Sequence, residues 1–267
     1  MIRGATNGEV VLDVRDLALR LGSTKILDGV SFSIVDRIRD AETTGQVATV
    51  LGPSGVGKTR LLRILAGLDA PDAGSMHGHG KEALEPGSVG MVFQDYPLLR
   101  HRTVASNLEL AGKVGGLPSD AARQRTAELL ELVGLSNRAS FYPAQLSGGQ
   151  RQRAAIARQL VVPRRLLLLD EPFSGLDPVA LDEVSKLIVD VANLHQLNTV
   201  LIVTHDIRAA IAVSDIVFLL GKRAEHSGAS VAATWDLVDL GVAWGVAEGT
   251  PRMAALEREI KSRFHEL

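Results

Sequence analysis

Eight residues, Gly52-Pro53-Ser54-Gly55-Val56-Gly57-Lys58-Thr59, constrain this chain more than any other segment. They follow the apolar run Val47-Ala48-Thr49-Val50-Leu51 and lead into Arg60-Leu61-Leu62-Arg63-Ile64-Leu65, whose leucines recur at helical spacing. A glycine-rich loop between a buried strand and a helix lets successive backbone N–H groups face one concavity. The positive end of the following helix points into the same space, and a lysine adds a mobile cation. The eight residues therefore read as a cradle for the phosphates of a nucleotide, with the Thr59 hydroxyl available to Mg²⁺.

The rest of the chain alternates between strand and helix signals. Val10–Val14 and Gly29–Ile34 read as antiparallel strands with turns at Gly22 and Gly29, and 36–44 reads as a charged, solvated loop. A strand at Val89–Phe93 precedes a helical stretch from Thr103 to Ser136, with Ala127, Leu130, Leu132 and Val133 on its packed face. Ser147 is placed to cap a helix running to Leu160. Four leucines, 166 to 169, form a strand buried on both faces, as parallel sheets require. Helix 179–194, strand 199–203, helix 207–213 and strand 216–220 continue the alternation. Thr250 and Pro251 then open a last helix with the apolar stripe Met253, Leu256, Ile260 and Phe264. The expected fold is α/β, a phosphate-loop NTPase core with a mainly parallel sheet, an N-terminal antiparallel β subdomain and a helical subdomain. One domain, 1–267, divides into a core (about 1–95 and 160–225), a helical subdomain (about 96–159) and a C-terminal extension (about 226–267) ending in a helix.

Bulk properties narrow the function. A net charge of −2 gives no general attraction to nucleic acid, and with no cysteine there are no disulfides or thiolate metal sites. No run reaches the 18 apolar residues of a membrane span and the first residues lack a signal peptide, so a cytoplasmic location is expected. His77 and His79 are too isolated for a metal pair. The arginines 151, 153, 158, 164 and 165 read as a solvated helix and contacts to a second chain.

Two acids close the buried leucine strand. Asp170 is placed to hold Mg²⁺, and Glu171, one residue on, to act as general base on a water aimed at the terminal phosphate. The segment Leu146-Ser147-Gly148-Gly149-Gln150-Arg151-Gln152-Arg153 is more specific still. With it the chain resembles the ATP-binding subunits of ATP-binding cassette (ABC) transporters. The resemblance implies that Ser147, Gly148, Gly149 and Gln150 bind the γ-phosphate of an ATP held by the opposite subunit, so that two chains sandwich two ATPs head to tail. It also implies roles for Gln94, in contact with Mg²⁺ and water and sensing the membrane partner; for Asp177, in the loop that speaks across the dimer; and for His205, on the γ-phosphate. ATP and Mg²⁺ are the implied ligands. The implied partners are a second copy or paralogous ATPase subunit, membrane-spanning permeases that hold the chain at the inner face of the cell membrane, and indirectly an extracytoplasmic solute-binding protein.

The stretch Pro97–Ala111 and the tail Pro251–Phe264 resemble importers of nitrate, sulfonate and taurine, which implies a small anionic cargo. Polar-amino-acid importers are the alternative. Relatives acting on DNA or ribosomes are a further one, disfavoured because the span between Thr59 and Leu146 lacks sustained heptads and the chain carries a single cassette. One departure from the family pattern stands out. Where relatives carry an aromatic residue stacked on adenine this chain has Leu21, and Phe32 or Tyr142 is left as the candidate substitute.

Overall fold

The computed structural model describes residues 6–38, 45–79, 83–194, 199–222, 227–245 and 249–267. One nine-stranded sheet organises them, with strands β1 (Thr6–Leu21), β2 (Thr24–Ile38), β3 (Gln46–Leu51), β4 (Ala73–His77), β5 (Gly90–Val92), β6 (Leu166–Asp170), β7 (Thr199–Thr204), β8 (Ile216–Lys222) and β9 (Ala229–Asp236). Their spatial order is β4-β1-β2-β9-β8-β3-β7-β6-β5. From β8 to β5 every neighbouring pair is parallel, whereas β1 pairs antiparallel with β2 and β4, and β9 antiparallel with β8. All six residues of β3 and of β7 and all five of β6 are buried. Helices cover both faces of these strands, so their sequences show no alternation of apolar and polar residues.

The helices are α1 (Lys58–Leu65), α2 (Val104–Val114), α3 (Ser119–Leu132), α4 (Gly148–Leu160), α5 (Pro178–Ala192), α6 (Ile207–Val213) and α7 (Pro251–His265). One hydrophobic cluster joins α4 and α5 to one face of the central strands, with Leu108, Leu129 and Ile156 among its members. On the opposite face α1 packs through Leu61, Leu62 and Ile64 against β1 and β2. Arg60 and Arg63 of α1 clamp Asp69, and the Arg63 guanidinium holds that carboxyl down to about 2.

Several expectations need correction. The helical stretch from Thr103 divides at Gly115–Pro118 into α2 and α3, since two glycines and a proline cannot continue a helix. Leu130 and Val133 are buried as expected, but Ala127 faces solvent, Leu132 is 38% exposed, and Leu129 takes the core position. Gly29 makes no turn: it lies within β2 at φ +68°, a local irregularity in the strand. Asp36 and Arg37 are buried members of β2, because β9 brings Asp236 against Arg37. Burial pushes the Asp36 carboxyl up. The remainder of the expected charged loop, 39–44, lies outside the described residues.

The basic stretch also reads differently in three dimensions. Arg158 donates to the Pro97 carbonyl at 2.7 Å, Arg164 to the Gly87 and Gln159 carbonyls at 3.1 and 3.2 Å, and Arg153 to the Val133 carbonyl at 3.4 Å. Arg164 and Arg165 lie beyond the end of α4. Three of the five arginines therefore tie loops to helices and are not a solvated face. Burial lowers the Arg158 and Arg164 pKa values for the same reason.

The C-terminal segment holds a strand that its sequence does not announce. β9 alternates small residues with Trp235, and pairing with β8 brings Trp235, Val238 and Val242 into a third cluster with Leu256 and Ile260 of α7. The carboxylate of Asp215 accepts from the Val47 amide at 2.8 Å and from the Trp244 indole at 3.0 Å, joining this segment to the central strand. Thr250 caps α7 by accepting from the Met253 amide at 3.4 Å. Thr250→Ala is expected to cost about 1 kcal/mol, and a thermal melt should fall by roughly 2 °C. A melt unchanged in Thr250→Ala would mean that α7 adds nothing to the cooperative unit.

Candidate nucleotide-binding site

The glycine-rich loop joins β3 to α1 at the carboxyl edge of the parallel strands, where open α/β sheets bind their ligands. Gly57 caps α1 at φ +114°, and a β-carbon there would stand 2.9 Å from Ile26 Cγ2. Both the backbone conformation and the close approach demand glycine. The loop bends so that Lys58, 5% exposed, folds back and donates to the carbonyls of Gly52 and Pro53 at 2.9 and 3.0 Å. Its ammonium also lies 3.1 Å from Glu171 Oε1.

The two acids after β6 point different ways. Asp170 accepts from the Thr59 hydroxyl at 3.0 Å, and burial is the main cause pushing its carboxyl up, against the opposing pull of Thr59. Thr59 and Asp170 thus bring two hard oxygen donors together, which is the chemistry Mg²⁺ prefers. Glu171 breaks from the strand at φ +47°, a left-handed conformation unusual for a residue with a β-carbon. Its amide donates to the Val203 carbonyl at 2.9 Å, and its carboxylate meets both Lys58 and His205, with His205 Nδ1 3.0 Å from Oε2. The strained turn aims the second acid into the cavity, while the first stays at the strand end.

A cavity of about 480 Å³ is lined by Gly55, Gly57, Lys58, Thr59, Glu171 and His205. Gln94 also reaches it, its amide donating to the Ser174 hydroxyl at 3.5 Å. Four segments far apart in sequence, the 55–59 loop, Gln94, Glu171 and His205, thus converge on one space. Ser147 does not join them. It caps α4 through a reciprocal pair, its hydroxyl accepting from the Gln150 amide at 3.3 Å while Gln150 Oε1 accepts from the Ser147 amide at 3.1 Å. Ser147 and Gly148 are exposed, and neither they nor Gly149 nor Gln150 line the cavity. Asp177 is likewise exposed and caps α5, accepting from the Ala180 amide at 2.9 Å.

Neither expected aromatic substitute reaches the cavity. Phe32 is buried, its ring 4.8 Å from that of Phe218, and Tyr142 stands in the turn before α4. The walls on the side of the β1–β2 hairpin are Leu21 and Ile26. Two residues that sequence reasoning passed over connect the parts. Gln152, fully buried on α4, donates to the Pro172 carbonyl at 2.7 Å, and the Tyr96 hydroxyl lies 3.5 Å from the same oxygen. Tyr96 has φ +48°, and burial pushes its phenol up to about 12. The one available signal was proximity: Tyr96 lies two residues after Gln94, and Gln152 lies within the Leu146–Arg153 segment itself.

Comparison with known proteins identifies relatives of this chain. The chain is 40% identical over 225 residues to a methionine import ATP-binding protein of Brucella abortus, covering 81% of this chain and 58% of the relative. It is 42% identical over 229 residues to a sulfate/thiosulfate import ATP-binding protein of Bradyrhizobium diazoefficiens, covering 82% of this chain and 64% of the relative. The chain therefore spans about three fifths of the length of these curated relatives. Among solved structures, cbiO1 of Clostridium perfringens, part of an ABC transporter complex, superposes with a TM-score of 0.75 at 26% identity, covering 95% of this chain and 99% of its own. An ATP-binding cassette solved as a dimer in a post-hydrolysis state with ADP and Pi gives 0.69 at 27% identity, covering 85% of this chain and 98% of its own. The family model described as ABC transporter matches residues 39–174, just over half of the sequence. By its fold, by the convergence of its motifs and by this match, the chain belongs to the ABC transporter family.

Proposed function

We propose that the chain is the ATP-binding and ATP-hydrolysing subunit of a bacterial importer of a small anionic solute. The convergence of Lys58, Thr59, Glu171 and His205 on one cavity, with Asp170 bonded to Thr59 behind it and Ser147–Gln150 outside it, carries this reading. A second copy in head-to-tail orientation would bring its Ser147, Gly148 and Gly149 to the open side of the cavity and complete the γ-phosphate site. Asp177 would lie at the seam between copies.

Each residue then has a task. The amides of the Gly52–Thr59 loop and the Lys58 ammonium hold the phosphates. Thr59 and Asp170, with Gln94, would hold Mg²⁺, which neutralises charge on the outer phosphates. On entry of a triphosphate Lys58 exchanges Glu171 for phosphate, and Glu171 is released to take a proton from the attacking water. His205 moves from the carboxylate to the γ-phosphate. Binding energy that differs between the open and closed dimer is what moves the partners.

A groove of about 650 Å³ opens beside the helical region, lined by Gln94, Tyr96, Leu98, Arg100, Gly148 and Arg151. Gln94 borders both this groove and the nucleotide cavity, so a membrane partner seated in the groove touches a residue that answers to the nucleotide. No helix among the described residues is long and apolar enough to cross a membrane. A permease partner would place the chain at the inner face of the cell membrane.

Sulfate/thiosulfate import by relatives at 41–42% identity supports an oxyanion cargo, of the kind sulfonate, nitrate and taurine represent. Methionine import by relatives at 40% identity favours an amino acid instead. Affinity purification of the tagged chain from detergent-solubilised membranes of its own cell tests the assignment. A multi-span permease is expected in the eluate, and the solute-binding protein that accompanies it can be titrated with sulfonate, nitrate, taurine and methionine to separate the cargoes. Recovery of ribosomal or DNA-associated proteins alone would overturn the transport reading.

A further inference from the structure

Two groups of residues that take no part in the nucleotide cavity meet elsewhere: His79, and the arginines 164 and 165 that follow Pro163. They line a second cavity of about 300 Å³, a volume at the lower end of those that hold small ligands. It lies at the amino edge of the parallel strands, where Val89 leads into β5 and Leu166 opens β6. The phosphate loop leaves the opposite, carboxyl edge, so the two cavities are separated by the length of the sheet. Val11, Leu84, Val89 and Leu166 give this second cavity apolar walls, and three of these four are buried.

The charged groups around those walls are unevenly matched. Glu9 accepts from His79 Nε2 at 2.8 Å, so that pair is closed. Arg164 spends Nε and one terminal nitrogen on the Gly87 and Gln159 carbonyls. Arg165 spends nothing: its carbonyl accepts from the Thr199 amide at 2.8 Å, which fixes its backbone at the start of β7, but its exposed guanidinium has no hydrogen-bond or ion-pair partner among the described residues. The carboxyl whose charge Arg165 and His79 both feel is Asp36, which is buried, and burial opposes its ionisation. Two neighbouring guanidinium groups, both permanently charged, thus border an apolar hollow.

We propose that this cavity binds a small organic anion, a carboxylate or sulfonate on a short apolar body, with Arg165 holding the anionic head and the walls of Val11, Leu84, Val89 and Leu166 receiving the body. A guanidinium presents parallel N–H groups in a fixed fork that matches two oxygens of such a head. Burying the body against the apolar walls removes them from water. An inorganic anion forgoes the second contribution and a neutral molecule the first, so the site selects for both features in one molecule. Its distance from the phosphate loop makes it independent of the nucleotide.

The test is a ligand-observed NMR titration of the full chain with benzoate, hexanoate and the neutral benzamide, and calorimetry with inorganic sulfate. Each is run with the magnesium complex of the β,γ-imido analogue of ATP in excess, to keep the anions out of the phosphate loop. Benzoate and hexanoate should bind, and benzoate should bind roughly 10- to 150-fold more tightly than benzamide, the value of hydrogen bonds to a charged head. Arg165→Gln should weaken benzoate by the same factor. Ala83→Phe, which places a ring at the exposed rim, should exclude both organic anions. Both positions are exposed, so the thermal melts of these variants should match wild type. Absence of benzoate and hexanoate binding would overturn the proposal, as would benzamide or sulfate binding as tightly as benzoate. Benzoate held equally well by Arg165→Gln or by Ala83→Phe would place it at another site and overturn the proposal too.

Discussion

A chain carrying Glu171→Gln binds MgATP and hydrolyses it roughly 10²- to 10⁴-fold more slowly than wild type. The expected loss follows from where the carboxylate sits. Its backbone is held in a left-handed turn, pinned by the hydrogen bond that its amide donates to the Val203 carbonyl, so the side chain points into the cavity whichever isostere it carries. The amide of glutamine keeps the size and an acceptor oxygen for Lys58 but cannot take a proton from water. Binding is preserved because Lys58, Thr59 and the loop amides are untouched. An enzyme that binds without turning over should accumulate as an ATP-held dimer, visible as a shift to twice the mass in size-exclusion chromatography with ATP. Steady-state phosphate release measures the rate. Turnover within threefold of wild type would remove Glu171 from the role of base.

Lys58→Ala should act at the earlier step, weakening MgATP by about 2–5 kcal/mol, roughly 30- to 5,000-fold in dissociation constant. The lysine is the buried cation of the cavity, where it donates to two loop carbonyls and offsets Glu171. Its removal therefore leaves a carboxylate whose side chain is 11% exposed with His205 as its remaining partner among these contacts. Some loss of stability is expected as well, so a thermal melt must accompany the titration, and Lys58→Gln, which keeps a donor near the carbonyls, separates the two effects. Both variants should lose affinity, while the glutamine variant retains more of the melting temperature. A dissociation constant within threefold of wild type in Lys58→Gln would mean that the loop amides alone hold the phosphates.

How much was legible in the sequence varied with the kind of information. The loop from Gly52 to Thr59 could be read because its function is local: eight consecutive residues set the backbone path, and Gly57 is required by its own φ of +114°. The helices capped by Ser147 and Thr250 were similarly local, since each cap closes on an amide three residues on. Where partners are distant the reading failed. Asp36 and Arg37 look solvated until Asp236 arrives from β9, and Arg158 looks solvated until the Pro97 carbonyl covers it. The same limit applied to Gln152 and Tyr96, whose meeting at the Pro172 carbonyl no spacing reveals.

The sequence by itself determined the chemistry available to this protein: a phosphate-holding loop, two acids at a strand end, a capping serine and glycines on a separate helix, and an aliphatic residue where a ring could have stood. The tertiary structure alone decided which groups meet. It set Glu171 between Lys58 and His205, brought Thr59 against Asp170 across the sheet, kept Ser147–Gln150 away from that cavity, and committed Phe32 to the core so that Leu21 remained the outer wall. The physical reason is range. Backbone conformation and capping are fixed by neighbours within a few residues, whereas pairing, burial and the shape of a cavity depend on the order in which distant strands are placed side by side.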